Sequence, residues 1–409
     1  MGVPFLHFLN SPRNSYLRRF QLVYRLKKEL FIRKHIGQAM VLRIFLIGIS
    51  LVIVLLGAPE KSYSMIQGPC GDCHTMHNSQ DGAPMSLDAT DNPKDDLLRT
   101  TCFGCHAQGG STPTVMMGST IVPQVMHSGV NDLAGGNFGY ITGMAGSGAS
   151  NNKGHNIAAL TGRDDTLYGP PGFIHGDHFV NTDTLSCASW RAGCHGVRRA
   201  TDTTKYGTGI SGSHHKNVNG QLADATWPYE SYRFLHRVKG LESPDWEENA
   251  TADNHNEYSA TSSPLQLDCA TRCHTTSGMV ISRSGTISGY CATCHSLFHT
   301  LSYSGFDGIG DSIISPFIRH PTDVSLPSTG EYAAYTQYNL SAPVGRLSVP
   351  AVSSSLVTPG SDAVTCLSCH VAHASDYPDM LRWDYSTMVA GDGGAVADTG
   401  CFVCHSTKD

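Results

Sequence analysis

The sequence predicts a mostly irregular chain, with short helices, little β-sheet and long loops wrapped around something other than a patterned aliphatic core. Three observations lead there. Gly and Pro supply 63 of the 409 residues (43 and 20), and the hydrophobic fraction is only 40%, a balance that favours turns over long elements. The 14 cysteines and 21 histidines exceed what packing needs. The cysteines fall into pairs that begin at 70, 102, 187, 269, 291, 366 and 401, and the lack of a fixed period excludes a solenoid of sequence repeats.

At the N-terminus, residues 1–64 carry ten of the 28 Lys and Arg but only two acids, Glu29 and Glu60. The remainder holds 18 basic against 32 acidic residues, a net of −14. An apolar run, IFLIGISLVIVLLGA, follows Arg43. Its 15 residues fall short of the roughly 20 that span a bilayer and match the apolar region of a secretory signal. Ser62 and Ser64 place cleavage before Met65, and Met40 is the expected true start. Residues 1–64 are therefore expected to be a leader with a cleaved signal peptide, and 65–409 a single exported unit; an uncleaved anchor is the alternative. With no basic stripe outside the leader, nucleic-acid binding is excluded.

Every cysteine pair is followed at once by histidine. Five pairs read C-x-x-C-H: Cys70, Cys73 and His74; Cys102, Cys105 and His106; Cys291, Cys294 and His295; Cys366, Cys369 and His370; Cys401, Cys404 and His405. Two are wider: Cys269, Cys273 and His274 with three residues between the thiols, and Cys187, Cys194 and His195 with six. This is the signature of haem c attachment. Two thiols add across the porphyrin vinyl groups, and the adjacent histidine lies under the iron as proximal ligand. Structural zinc would not demand histidine after each pair, and disulfides between cysteines so close in sequence would be strained. Seven covalent haem c groups with their irons are expected, one for about every 49 residues of 65–409. That density forces the haems to share walls in one continuous array.

Twelve further histidines lie in 65–409, a surplus over seven sixth-coordination positions. Saturated bis-histidine iron suits electron transfer, whereas substrate chemistry needs an open sixth site. His77, His299 and His373 follow a motif histidine by three or four residues, too near to turn over the same porphyrin, and are expected to ligate a neighbouring haem. His127, His155, His255 and His320 sit alone in loop-like sequence and are expected distal ligands. His214 and His215 are adjacent, and one of the two is expected to bind. His175, His178 and His236 are the expected bystanders. Short helices are expected at 95–106, 367–373 and 229–239. The runs 135–154 and 348–363 have loop composition, tied down by iron–histidine bonds rather than by packing.

Several stretches resemble a known family, the extracellular multihaem c-type cytochromes that polymerise into conductive filaments. They are CGDCHTMHNS at 70–79, LLRTTCFGCH at 97–106, GGNFGY and KGHNI within 135–157, YCATCHSLFH at 290–299, RHP at 319–321, TCLSCHVAHASDYPDMLR at 365–382 and the terminal CFVCHSTKD. The region 175–289, with both wide motifs, departs from that pattern. The resemblance implies stacked bis-histidine haems, subunits joined head to tail, and His77 ligating a haem of the neighbouring subunit. Such a contact does not close and so propagates. It further implies a secreted, surface or extracellular electron conduit without catalytic residues, serving redox partner cytochromes and external electron acceptors. The rival readings are a monomeric periplasmic or surface shuttle and, requiring an open iron site, a multihaem reductase.

Overall fold

Where glycine and proline interrupt every run, backbone hydrogen bonding falls to turns. The computed structural model describes residues 21–28, 68–89, 92–161, 169–172, 185–188, 193–196, 209–210, 212–216, 221–222, 227–263, 285–299, 319–391 and 399–408. The chain divides into two units, Met1–Lys61 and Ser62–Asp409. In the first, residues 21–28 form a helix, α1, with exposed side chains. No helix among the described residues is long and apolar enough to cross a membrane. The apolar run at 44–58 and the expected cleavage position lie outside them.

In the second unit the described helices are α2 (Cys102–His106), α3 (Gly139–Thr142), α4 (Ala158–Thr161), α5 (Ser213–Lys216) and α6 (Ile287–Cys291), none longer than five residues. The described strands run to only two to four residues. These are β1 (Ser79–Gln80), β2 (Ala83–Pro84), β3 (Thr114–Met117), β4 (Thr120–Pro123), β5 (Gln221–Leu222), β6 (Gly240–Leu241), β7 (Glu257–Ser259), β8 (Val324–Ser325), β9 (Gly345–Arg346) and β10 (Ala363–Val364). The expected fold class, mostly coil with short helices and little sheet, is what the chain adopts.

β1 pairs with β2 and β3 with β4, both antiparallel. The other six form one sheet in the order β5-β6-β7-β9-β10-β8, antiparallel except for β7 with β9, where Tyr258 faces Gly345 and Ser259 faces Arg346. A buried ion cluster pins this junction. Arg346 Nε donates to Glu257 Oε2 at 2.7 Å, and its Nη1 donates to Asp362 Oδ2 at 2.5 Å and to the Leu356 carbonyl at 2.8 Å. Nη2 donates to the Ser354 carbonyl at 2.9 Å. A buried guanidinium satisfied on every nitrogen ties β7, β9 and the loop before β10 together.

Among the described residues apolar burial is split into three small clusters, each touching a cysteine motif. Phe138, Ile141, Ile157 and Ala374 pack with Phe103 and Cys187. Tyr232, Val238, Tyr258, Ile287, Tyr290 and Leu367 form the second. Leu326, Tyr335, Tyr338, Val344, Val357 and Val403, with Ala342 and Val364, form the third, against Cys404.

Local structure departs from expectation in two ways. The glycine-rich run 135–154 is not a plain loop. It contains α3, because Phe138 and Ile141, three apart, share a buried face, and Gly143 ends the helix at φ 77°. Conversely, the helices expected over 95–106, 229–239 and 367–373 are broken. Asp96 with Leu97 and Arg233 with Phe234 adopt left-handed backbone, at φ 57°, 58°, 47° and 60°, which stops helical propagation. In the third, the 3-10 turn Cys366–Ser368 is left at once, and His370 forms a β-bridge with Leu381.

Candidate functional site

Four of the regular motifs fold the second cysteine and the histidine back onto the first cysteine, whereas Cys102–His106 is helical and Cys105 N donates to the Thr101 carbonyl at 3.3 Å. His74 N donates to the Cys70 carbonyl at 2.9 Å, and His295, His370 and His405 do the same to Cys291, Cys366 and Cys401 at 3.0 Å each. The wide motif closes identically. Cys194 N and His195 N both reach the Cys187 carbonyl, at 3.0 and 2.8 Å, so the wider spacing keeps the backbone closure of the regular motifs.

The proximal rings are then oriented from behind. Nδ1–H of His74 donates to the carbonyl of Asp96 (3.1 Å), His106 to Pro123 (2.9 Å), His195 to Arg233 (2.9 Å), His295 to Pro171 (2.8 Å) and His370 to Asp379 (2.7 Å). His405 instead donates to a carboxylate, Glu331 Oε1, at 3.1 Å. With the proton held at Nδ1, the lone pair of Nε2 is presented for a metal.

Three of these acceptors come from one recurring clamp. Asp96, Arg233 and Asp379 are each the first of two consecutive left-handed residues, followed by Leu97, Phe234 and Met380. In the first and third, the next-but-one arginine locks the turn: Arg99 N donates to the Cys73 carbonyl at 2.8 Å, and Arg382 N to that of Cys369 at 2.9 Å. Left-handed backbone in a residue with a Cβ costs about 1–2 kcal/mol. The turn thus keeps a strained carbonyl aimed at each imidazole.

Opposite five proximal rings stands a second histidine. Ring centroids are 6.0 Å apart for His74 and His215, 6.2 Å for His106 and His214, 6.2 Å for His195 and His373, 6.1 Å for His295 and His155, and 6.2 Å for His405 and His320. Direct ring stacking would bring them far closer, as His255 on Tyr338 does at 3.5 Å. Two imidazoles sharing one metal, with ~2.0 Å bonds and ring centres ~1.1 Å behind each nitrogen, lie about 6.2 Å apart. The five separations therefore match one iron between each pair. His155 and His320 also have Nδ1 tied to carbonyls, of Ala372 at 2.8 Å and Pro321 at 2.9 Å. Burial drives the pKa of His214 and His295 down to about 4 and of His373 to about 3, with neighbouring histidines adding to the shift. These rings are neutral at pH 7, as ligands must be.

The motifs also touch in sequence order. The thiol of Cys102 lies beside that of Cys187, and the thiol of Cys291 beside that of Cys366. Cys73 lies near Cys105, Cys194 near Cys291, and Cys369 near Cys401.

The remaining candidates are placed differently. His127 is buried, with Nε2 3.6 Å from Asp132 Oδ1 and its backbone N donating to Asn137 Oδ1. His255 is buried under Tyr338 with Nε2 3.4 Å from Glu257. His299 is buried with Nε2 2.9 Å from Asp323 Oδ2. His236 is buried, and His77 is exposed. Among the described residues no histidine ring faces His370. Cys269, Cys273, His274, His175 and His178 lie outside them. Motif reading could not find the carbonyl acceptors or Glu331; the only hint was the paired Leu-Arg of DDLLR (95–99) and PDMLR (378–382).

Motifs, facing imidazoles and a coil-rich fold are those of a multihaem c-type cytochrome carrying covalent haem c. A family model described as a doubled CXXCH motif matches residues 358–409. Over 379 aligned residues the chain is 25% identical to the C-type cytochrome OmcS of Geobacter sulfurreducens, with 81% of this chain and 83% of that one covered; the chain is homologous to it. Two solved filament structures from the same organism also align. The OmcS nanowires do so at 19% identity and TM-score 0.42, over 85% of this chain and 91% of that chain. The Outer Membrane Cytochrome S filament does so at 19% and 0.39, over 83% and 89%.

Proposed function

We propose that this chain is a secreted, extracellular seven-haem c-type cytochrome, a subunit of a head-to-tail filament that conducts electrons to external acceptors and redox partner proteins. The observation that carries the reading is the set of five imidazole pairs at 6.0–6.2 Å. Bound haem would supply one-electron Fe(III)/Fe(II) exchange. The residues' task is to hold, orient and shelter it. The seven cysteine pairs attach it, and His74, His106, His195, His274, His295, His370 and His405 ligate from one side. His215, His214, His373, His155 and His320 ligate from the other side within the chain. The proposal gives His127, His255 and His299 to packing and hydrogen bonding instead.

His370 is the described proximal ring without a facing histidine, and His77 is an exposed histidine without a facing ring. The proposal joins them across copies: His77 of one subunit completes the site at His370 of the next. Around His77 the apolar surface is unusually open, with Met76 75%, Leu87 45% and Leu97 54% exposed. Thr75 N to Leu97 O, and Leu87 N to Arg99 O, both 2.8 Å, hold these segments together. An exposed apolar patch beside an unmatched ligand suits an interface. No side chain is assigned a catalytic role.

Two measurements test this. The intact mass should exceed the mature polypeptide by seven haems, and five would remove both wide motifs. His77→Ala should keep every haem yet assemble poorly and show one high-spin haem per subunit. Filaments of normal length with all haems low-spin would refute the interface and leave the monomeric shuttle.

A further inference from the structure

We propose that Glu331 holds the C-terminal haem, at Cys401, Cys404 and His405, at a lower reduction potential than its neighbours, and so gives the array an electrical direction. The inference rests on the haem reading above. Of the six described proximal histidines, five donate Nδ1–H to a neutral backbone carbonyl. His405 alone among them donates to a carboxylate oxygen. A charged acceptor draws the Nδ1 proton more strongly, raises the basicity of Nε2 and favours the ferric over the ferrous ion. The proton stays on His405, and no group is transferred.

The carboxylate is built in rather than incidental. Glu331 sits in the 3-10 turn Gly330–Ala334, and the tail that follows the motif wraps it. Thr407 Oγ1 donates to Oε2 at 3.0 Å, Ser406 Oγ donates to the Glu331 carbonyl at 2.9 Å, and Lys408 Nζ lies 3.1 Å from Oε1. The Glu331 side chain is 12% exposed and that of Lys408 55%. Water therefore screens the lysine more than the carboxylate, and a net negative field remains at His405. Across the haem position, the distal ring of His320 has a neutral acceptor, the Pro321 carbonyl at 2.9 Å. The charge acts from one side only.

The test uses the holo protein. Peptide mass spectrometry first establishes the haem adduct on Cys401 and Cys404; its absence would overturn the haem reading itself. Parent and Glu331→Gln are then titrated spectroelectrochemically. Glutamine keeps an oxygen acceptor for Nδ1–H and removes the charge, while its amide nitrogen falls on the side of Thr407, whose hydroxyl can turn to accept. One component should rise by about 59 mV, a tenfold change in its Fe(III)/Fe(II) ratio at the parent midpoint, while the others stay put. One low-spin species should shift in the electron paramagnetic resonance spectrum. Superimposable titrations, or an equal shift of every component, would overturn the proposal. Lys408→Gln, an exposed change that leaves the fold alone, should move the same component down, and a rise would count equally against it.

Discussion

Replacing His214 and His215 singly and together asks whether two neighbouring side chains serve two irons. Adjacent residues in α5 point about 100° apart around the helix axis, so both rings cannot reach one metal. The structure gives each its own counterpart: His215 lies 6.0 Å from His74 and His214 lies 6.2 Å from His106. Each alanine should therefore open the sixth position of one haem, leaving one in seven high-spin. The double variant should leave two in seven, because the sites are independent. High-spin ferric haem, quantified by electron paramagnetic resonance against total haem, gives the fraction directly. Added imidazole should restore the low-spin state in each variant. A double variant with no more high-spin haem than one single variant would refute the assignment, and would return the pair to the one-ligand arrangement that adjacency in sequence suggests.

Three further outcomes are expected. Arg346→Met strands the buried carboxylates of Glu257 and Asp362 and should cost about 3–5 kcal/mol, read as a lower guanidinium midpoint; an unchanged midpoint would show that the cluster does not hold the sheet. Burial, helped by Arg237, lowers the pKa of His236 to about 4, below its unfolded value near 6.5. Its contribution, at most about 3 kcal/mol, is present above pH 6.5 and lost as the pH falls toward 4, so His236→Phe should flatten the pH dependence of unfolding in that window. Without haem attachment the three small apolar clusters should not suffice, and expression in a host lacking cytochrome c maturation should yield no cooperatively folded protein by calorimetry.

What the sequence alone determined is the local chemistry. Haem attachment is written within five to nine consecutive residues, and one short turn brings thiols and imidazole together, so motif spacing carries it. Even the wide Cys187/Cys194 pair keeps this geometry, since Cys194 and His195 close on the Cys187 carbonyl as in the regular motifs. Low core content and short elements were legible for a related reason: glycine and proline limit helices and strands residue by residue. Only the tertiary structure decided which histidine faces which. His373 stands in the sixth motif's own segment yet faces His195, and His155 faces His295 from 140 residues away in the chain. It also decided that His299 meets Asp323, and that Glu331 rather than a carbonyl lies behind His405. A ligand bond is made by whatever ring the folded backbone delivers to within a few ångströms, and that delivery depends on left-handed turns and long-range strand pairing, which leave no periodic trace in the order of residues.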